Sequence, residues 1–192
     1  MWNTPNLLTL LRIGLIPVFV LAFYLHTPWA RPVAASIFTL AAVTDWLDGH
    51  LARRWEQTSP LGAFLDPVAD KLMVAVALVF LVQADPRPLL ALAAAVIIGR
   101  EIAVSALREW MAEIGARAHV AVSWTGKVKT AAQMVAIILL ILGGPLFGLP
   151  IYGLGLALLY VAAGLTLWSM FLYLRAAWPS LAGLENSTHG GP

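Results

Sequence analysis

The sequence predicts an all-α protein built from six transmembrane helices, with both termini cytoplasmic, and three observations lead there. The 192 residues are 60% hydrophobic and only 11% charged, with a mean hydropathy of +0.83. Water-soluble domains carry about 25% charged residues, so this chain lacks the polar surface to face water all round. Apolar stretches long enough to cross ~30 Å of hydrocarbon, which takes roughly 20 residues of helix, recur along the chain. Finally, Lys and Arg segregate: Arg12, Arg53, Arg54, Arg108, Arg117, Lys127, Lys129 and Arg175 fall on one side, Arg31 and Arg87 on the other. The richer side is the cytoplasmic one, because positive charge is retained there.

Taken in order, the first span covers Leu10 to Leu25, and a turn rich in Pro and Trp follows from His26 to Pro32. The second covers Val33 to Arg53, the polar stretch Arg54 to Pro60 intervenes, and the third covers Leu61 to Gln83. Asp85-Pro86-Arg87-Pro88 breaks the chain, since proline neither continues a helix nor favours one in the residue before it. The fourth span runs from Leu89 to Met111, the fifth from Lys127 to Leu142 after a charged stretch, and the sixth from Ile151 to Arg175. Residues 1–178 form one membrane domain, and 179–192 are a polar C-terminal tail expected to be disordered. Without cysteine, disulfides, thiolate metal sites and cysteine nucleophiles are excluded. The four histidines have no ligand spacing, and tryptophans near span ends read as interfacial anchors. No nucleic-acid partner is expected.

Of the ten acidic residues, the four aspartates Asp45, Asp48, Asp66 and Asp70 fall at the facing ends of spans two and three. Asp45 and Asp48 are three apart, and Asp66 and Asp70 four apart; both spacings place a pair on one helical face. The short connection makes the two spans antiparallel neighbours, so the pairs face each other. A carboxylate inside a membrane costs roughly 2.5–3.5 kcal/mol at the centre and less towards the interface. Four together also repel, so protons or cations must neutralise them. An all-oxygen cluster favours hard ions, Mg²⁺ or Mn²⁺, and facing pairs suggest two of them. Two ions suit in-line phosphoryl transfer. Gly49, Ala52 and Gly62 leave room for close approach, and Arg53 offers a planar fork to a phosphate.

The run Asp45-Trp46-Leu47-Asp48-Gly49-His50-Leu51-Ala52-Arg53, with Gly62, Asp66 and Asp70 beyond it, fills every fixed position of the pattern D-x-x-D-G-x-x-A-R-x8-G-x3-D-x3-D. It resembles the signature of the CDP-alcohol phosphotransferases. Similarity also covers Pro5 to Arg12, Ser59 to Leu72, Gly99-Arg100-Glu101, Arg108-Glu109-Trp110 and Gly126 to Thr130, about residues 3 to 142 in all; the last span and the tail match only in hydropathy. The resemblance implies a six-helix homodimer in the bacterial inner membrane, its site open to the cytoplasm. It further implies that Asp45, Asp48 and Asp66 are metal ligands, and that Asp70 is both ligand and base towards the acceptor hydroxyl. Gly49, Ala52, Arg53 and Gly62 would line the CDP site, with Asn6 and Thr9, a polar stripe continued by Arg12, near the nucleotide. The wider similarity implies CDP-diacylglycerol as donor, sn-glycerol 3-phosphate as acceptor and surrounding membrane lipid.

The acceptor is the less constrained part. Arg108, Lys127 and Lys129 gather around the fourth connection and Arg100 lies deeper in span four, a basic set suited to a phosphate monoester. Lys127 and Lys129 are two apart and point in different directions on a regular helix. Arg100 cannot pair with Glu101 across one helix face, so an acid on span two or three, or the substrate phosphate, is its expected partner. Other acceptors (inositol phosphate, serine, phosphatidylglycerol) stay open within the family. Outside it, the aspartates could form the transit site of a divalent-cation transporter. Against transport, the acids lie towards one membrane face, and no inverted repeat of the kind many transporters show is evident.

Overall fold

The computed structural model describes residues 4–55, 60–113, 124–145 and 148–188, and for stretches near one end of the bundle it describes the backbone alone. These residues form α1 (Thr4–Tyr24), α2 (Ala30–Trp55), α3 (Pro60–Ala84), α4 (Pro88–Glu113), α5 (Trp124–Leu142) and α6 (Ile151–Thr188). No strand occurs among them. Four helices contain a stretch both long and apolar enough to cross a membrane: Leu7–Tyr24, Pro67–Ala84, Pro88–Met111 and Ile151–Arg175. The other two predicted spans are helices of a different character. At 1.5 Å rise per residue the 26-residue α2 is about 39 Å long, but it carries the charges that include Asp45 and Asp48. In α5 the apolar run is only Lys129–Leu142.

The helix limits follow local chemistry. Pro88 opens α4, and Pro150 immediately precedes α6, placements that use proline's fixed φ and need no amide donor. α5 ends at Leu142 and is closed by Gly143, whose φ of +70° favours glycine, with its N–H donating to the Leu139 carbonyl at 3.1 Å. A side chain there would also collide with Arg31, because an added Cβ would stand 2.9 Å from Arg31 Nη1. α6 departs from expectation at its far end. The tail predicted to be disordered from Pro179 is helical through Thr188. The reason is composition: Leu181, Ala182, Leu184 and Glu185 all favour helix, outweighing the one donor that Pro179 withholds.

The helices pack as a closed ring in the order α1, α2, α5, α6, α4, α3. α2, α3 and α5 also touch one another across its middle. The sequence made α2 and α3 immediate partners; they do meet, but α1 packs more extensively on each than they pack together. Phe19, Phe38, Leu78, Leu90, Ile137 and Leu159 are fully buried between the helices. Rings run through the core, with Phe19–Phe38 and Phe23–Phe80 centroids 6.3 and 5.6 Å apart. Leu21, Leu92, Ile102, Val161 and Trp168 are exposed on the outside, as lipid-facing positions are. α5 and α6 approach closely at Gly155, where an added Cβ would sit 3.0 Å from Leu140 Cγ and 3.2 Å from the Ala136 carbonyl oxygen. Small residues serve this purpose in membrane helices, where dispersion contacts rather than water exclusion hold neighbours together.

Candidate active site

Helices consecutive in the chain run in opposite directions, so helix starts and ends alternate between the two ends of the bundle. At one lie the start of α1, the end of α2, the start of α3, the end of α4 and the start of α5. Arg12 is built into this end. Its side chain is 1% exposed, and Nη1 donates to Asp45 Oδ1 at 2.8 Å. One helical turn before it on the same face of α1, Thr9 is fully buried. The aspartate pattern drew attention to α2 and α3, but the ring brings α1 against both, and that places a guanidinium beside the carboxylates.

Asp70 stands at the junction. It lies within electrostatic range of Asp45, Arg12, Glu101 and Lys71. Together with Arg12, Ala41, Ala42 and Met73 it lines a small void, and on its other side it lines a cavity of about 50 Å³ with Lys71, Glu101, Thr130, Gln133 and Met134. Its half-buried carboxylate has no hydrogen-bond donor or ion-pair partner among the described residues. A buried carboxylate without donors is costly unless a cation compensates it. The donor set is all oxygen, so the residues fit a hard divalent ion.

Glu101 closes the cavity from α4. Its Oε1 accepts from Arg100 Nη1 at 2.8 Å and stands 3.6 Å from the buried Lys129 ammonium on α5. The Arg100–Glu101 pair overturns the expectation that these neighbours could not meet. The two Cα–Cβ bonds diverge, but the long arginine side chain curls round the helix far enough for its terminal nitrogen to reach. Arg100 is also tied to α6, through Nη2 to Ser169 Oγ at 3.3 Å and by its guanidinium lying 5.7 Å from the Tyr173 ring centre. Lys129 is buried, whereas Arg108 is exposed.

The backbone places Asp48, Gly49, Ala52 and Arg53 on α2 within ten residues of its end and Gly62 and Asp66 on the first two turns of α3. The side chains of these residues, and of Asn6 and Lys127, lie outside the described residues. Among the described residues no cluster of three metal-ligating side chains is found, and two members of the aspartate quartet fall outside that set. Arg12, Glu101 and Gln133 are the site residues that sequence reasoning undervalued. Each is a polar residue within an apolar helix, and that signal alone could have drawn attention to them.

A family model described as CDP-alcohol phosphatidyltransferase matches residues 2–168. The match therefore extends well into α6, beyond the limit at residue 142 drawn from motifs. A curated relative from Pseudomonas fluorescens, named CDP-diacylglycerol–glycerol-3-phosphate 3-phosphatidyltransferase, is 60% identical over 181 residues, covering 93% of this chain and 92% of its own. Relatives of the same name from Pectobacterium atrosepticum and Yersinia pestis are 60% and 58% identical, covering 92% and 93% of this chain and 95% and 97% of their own. Enzymes of that family generally use divalent metals.

Proposed function

The chain belongs to the CDP-alcohol phosphatidyltransferase family, and on that premise we propose that it transfers the phosphatidyl group of CDP-diacylglycerol to sn-glycerol 3-phosphate, giving phosphatidylglycerophosphate and CMP. The observation that carries the reading is Asp70, a half-buried carboxylate without a donor among the described residues, set between the Arg12–Asp45 pair and a polar cavity. The choice of acceptor rests on the relatives' names.

In this reading Asp45, Asp48, Asp66 and Asp70 hold two Mg²⁺ or Mn²⁺ ions. When bound, these ions supply the positive charge that offsets the pyrophosphate and the departing CMP. Arg12 fixes the Asp45 carboxylate through a charge-assisted bond. Asp70 accepts the proton of the acceptor's 1-hydroxyl, whose oxygen bonds to the lipid-bearing phosphorus as the bond to CMP breaks. Gly49, Ala52, Arg53 and Gly62 line the CDP site, with Asn6 and Thr9 beside the nucleotide. Lys129 and Arg108, with Lys127 and Arg100, supply positive charge for the acceptor phosphate. Glu101 holds the Lys129 ammonium near the cavity and is a positioning residue. The active end faces the cytoplasm of the bacterial inner membrane, where CDP-lipid and glycerol 3-phosphate meet. The working unit is a homodimer.

CMP release from CDP-diacylglycerol by detergent-purified protein tests the proposal. Release that requires glycerol 3-phosphate and Mg²⁺ or Mn²⁺, and vanishes in Asp70→Asn, is the expected result. Release that instead follows serine, inositol phosphate or phosphatidylglycerol would replace the acceptor while keeping the chemistry.

A further inference from the structure

The end of the bundle opposite the aspartates holds a second polar site. Among the described residues, Arg31 and Arg87 are the Lys and Arg residues at that end and Asp85 is its acid. All three line a single cavity of about 620 Å³, together with Tyr152. They come from different elements: Arg31 from the first turn of α2, Asp85 and Arg87 from the α3–α4 connection, and Tyr152 from the first turn of α6. A volume of this size lies within the roughly 300–1,000 Å³ typical of small-ligand pockets.

The charges in the cavity do not cancel. Asp85 is already engaged by the Tyr152 hydroxyl, and it accepts from Arg87 Nε at 3.0 Å. Arg87 uses only that nitrogen, lies 5.7 Å from the Tyr152 ring centre, and is 57% exposed. Arg31 stands 5.3 Å from the Phe23 ring centre and makes one long bond, 3.4 Å from Nη1 to the Ile141 carbonyl. The remaining guanidinium nitrogens have no protein acceptor among the described residues. Three helix amino ends (α2, α4 and α6) converge here and add partial positive charge. A structural clamp accounts for Asp85, Tyr152 and Arg87 Nε, and packing on Phe23 with one long bond for part of Arg31, but neither uses the remaining guanidinium donors or the cavity.

We propose that this cavity binds the phosphate of an anionic phospholipid headgroup through Arg31 and Arg87. Guanidinium groups present paired donors that match phosphate oxygens. The cavity sits where the apolar stretch Pro67–Ala84 ends and the stretches Pro88–Met111 and Ile151–Arg175 begin, the depth at which a bilayer's hydrocarbon gives way to headgroups, and Leu81, Leu142 and Ile151 supply apolar lining beside the charges. A soluble phosphate shares the chemistry but draws nothing from that lining. The site is separate from the transfer reaction and stands whether or not the acceptor is glycerol 3-phosphate.

The test follows the melting temperature of the detergent-purified full chain, saturated with CDP-diacylglycerol so that the aspartate end is filled. It is titrated with phosphatidylglycerol, phosphatidylcholine or inorganic phosphate. Phosphatidylglycerol alone raises the melting temperature, and Arg31→Gln or Arg87→Gln weakens its apparent affinity about tenfold, the loss of roughly one charge-assisted contact. Arg87→Lys, which keeps charge at an exposed position and serves if either glutamine variant fails to fold, falls between wild type and Arg87→Gln. An equal shift with phosphatidylcholine, or undiminished binding in folded Arg31→Gln and Arg87→Gln, would overturn the site. Inorganic phosphate matching the lipid at equal concentration would overturn the lipid assignment.

Discussion

The two ends of this bundle handle charge in opposite ways. At the aspartate end the cations gather on two carboxylates and leave a third bare: Asp45 holds Arg12, Glu101 is shared between Arg100 and Lys129, and Asp70 has no donor among the described residues. At the other end a single carboxylate is shared by a tyrosine and an arginine, and the surplus is cationic. A carboxylate left without a donor in a low-dielectric setting calls for a bound cation, and guanidinium nitrogens left without acceptors call for an anion. The two proposed sites thus have opposite preferences, one at each end, and residues at the two ends should fail in different ways when altered.

The largest expected effect is at Asp70. Asp70→Asn keeps shape and removes the proton acceptor, so CMP release should fall roughly 10²–10⁴-fold while the purified variant keeps its circular dichroism. Arg12→Met comes next. Loss of a buried partner costs about 3–5 kcal/mol where both charges are buried, but Asp45 is 40% exposed, so about 1–3 kcal/mol is expected. A lower melting temperature together with at least tenfold slower CMP release would be the signature; unchanged turnover would remove Arg12 from the site. Glu101→Gln frees the Lys129 ammonium. It should raise the KM for glycerol 3-phosphate several-fold more than it lowers kcat, and an effect confined to kcat would argue against a positioning role.

The opposite end should yield stability effects. Gly143→Ala forces a side chain into φ +70° and against Arg31, which should cost about 1–2 kcal/mol. Thermal unfolding followed by tryptophan fluorescence reads that loss. Smallest of all, Tyr152→Phe deletes the hydroxyl bond to Asp85. Polar bonds within membrane bundles average only about 0.6 kcal/mol, so the melting temperature should drop by a few degrees at most. A larger drop would mean that the Asp85 cluster holds this end of the ring together.

Much of the fold was legible because the membrane leaves few choices. With no water to satisfy backbone groups, apolar stretches must be helices, and prolines 86, 88 and 150 mark where the chain turns. Helix ends differed from expectation where the hydropathy signal is weak, as in the C-terminal part of α6, where helix propensity continued past the apolar stretch. The aspartate pairs were legible from spacing, since i, i+3 and i, i+4 positions share a face whatever lies opposite. What lies opposite was not legible. Contact between Arg100 and Glu101 depends on side-chain length and curvature, which residue spacing does not encode.

The residue order alone therefore determined that the chain is a helical membrane protein with a concentrated, oxygen-rich acidic site, because each conclusion depends on composition or on neighbours along one helix. Only the tertiary structure decided the ring order, the entry of Arg12 beside Asp45, the joining of Glu101 and Lys129 to the Asp70 cavity, and the convergence of Arg31, Asp85 and Arg87. These pair residues up to 110 positions apart, as Arg31 and Ile141 are. Contacts of that range are chosen by how whole helices pack, and the local sequence holds no record of that choice.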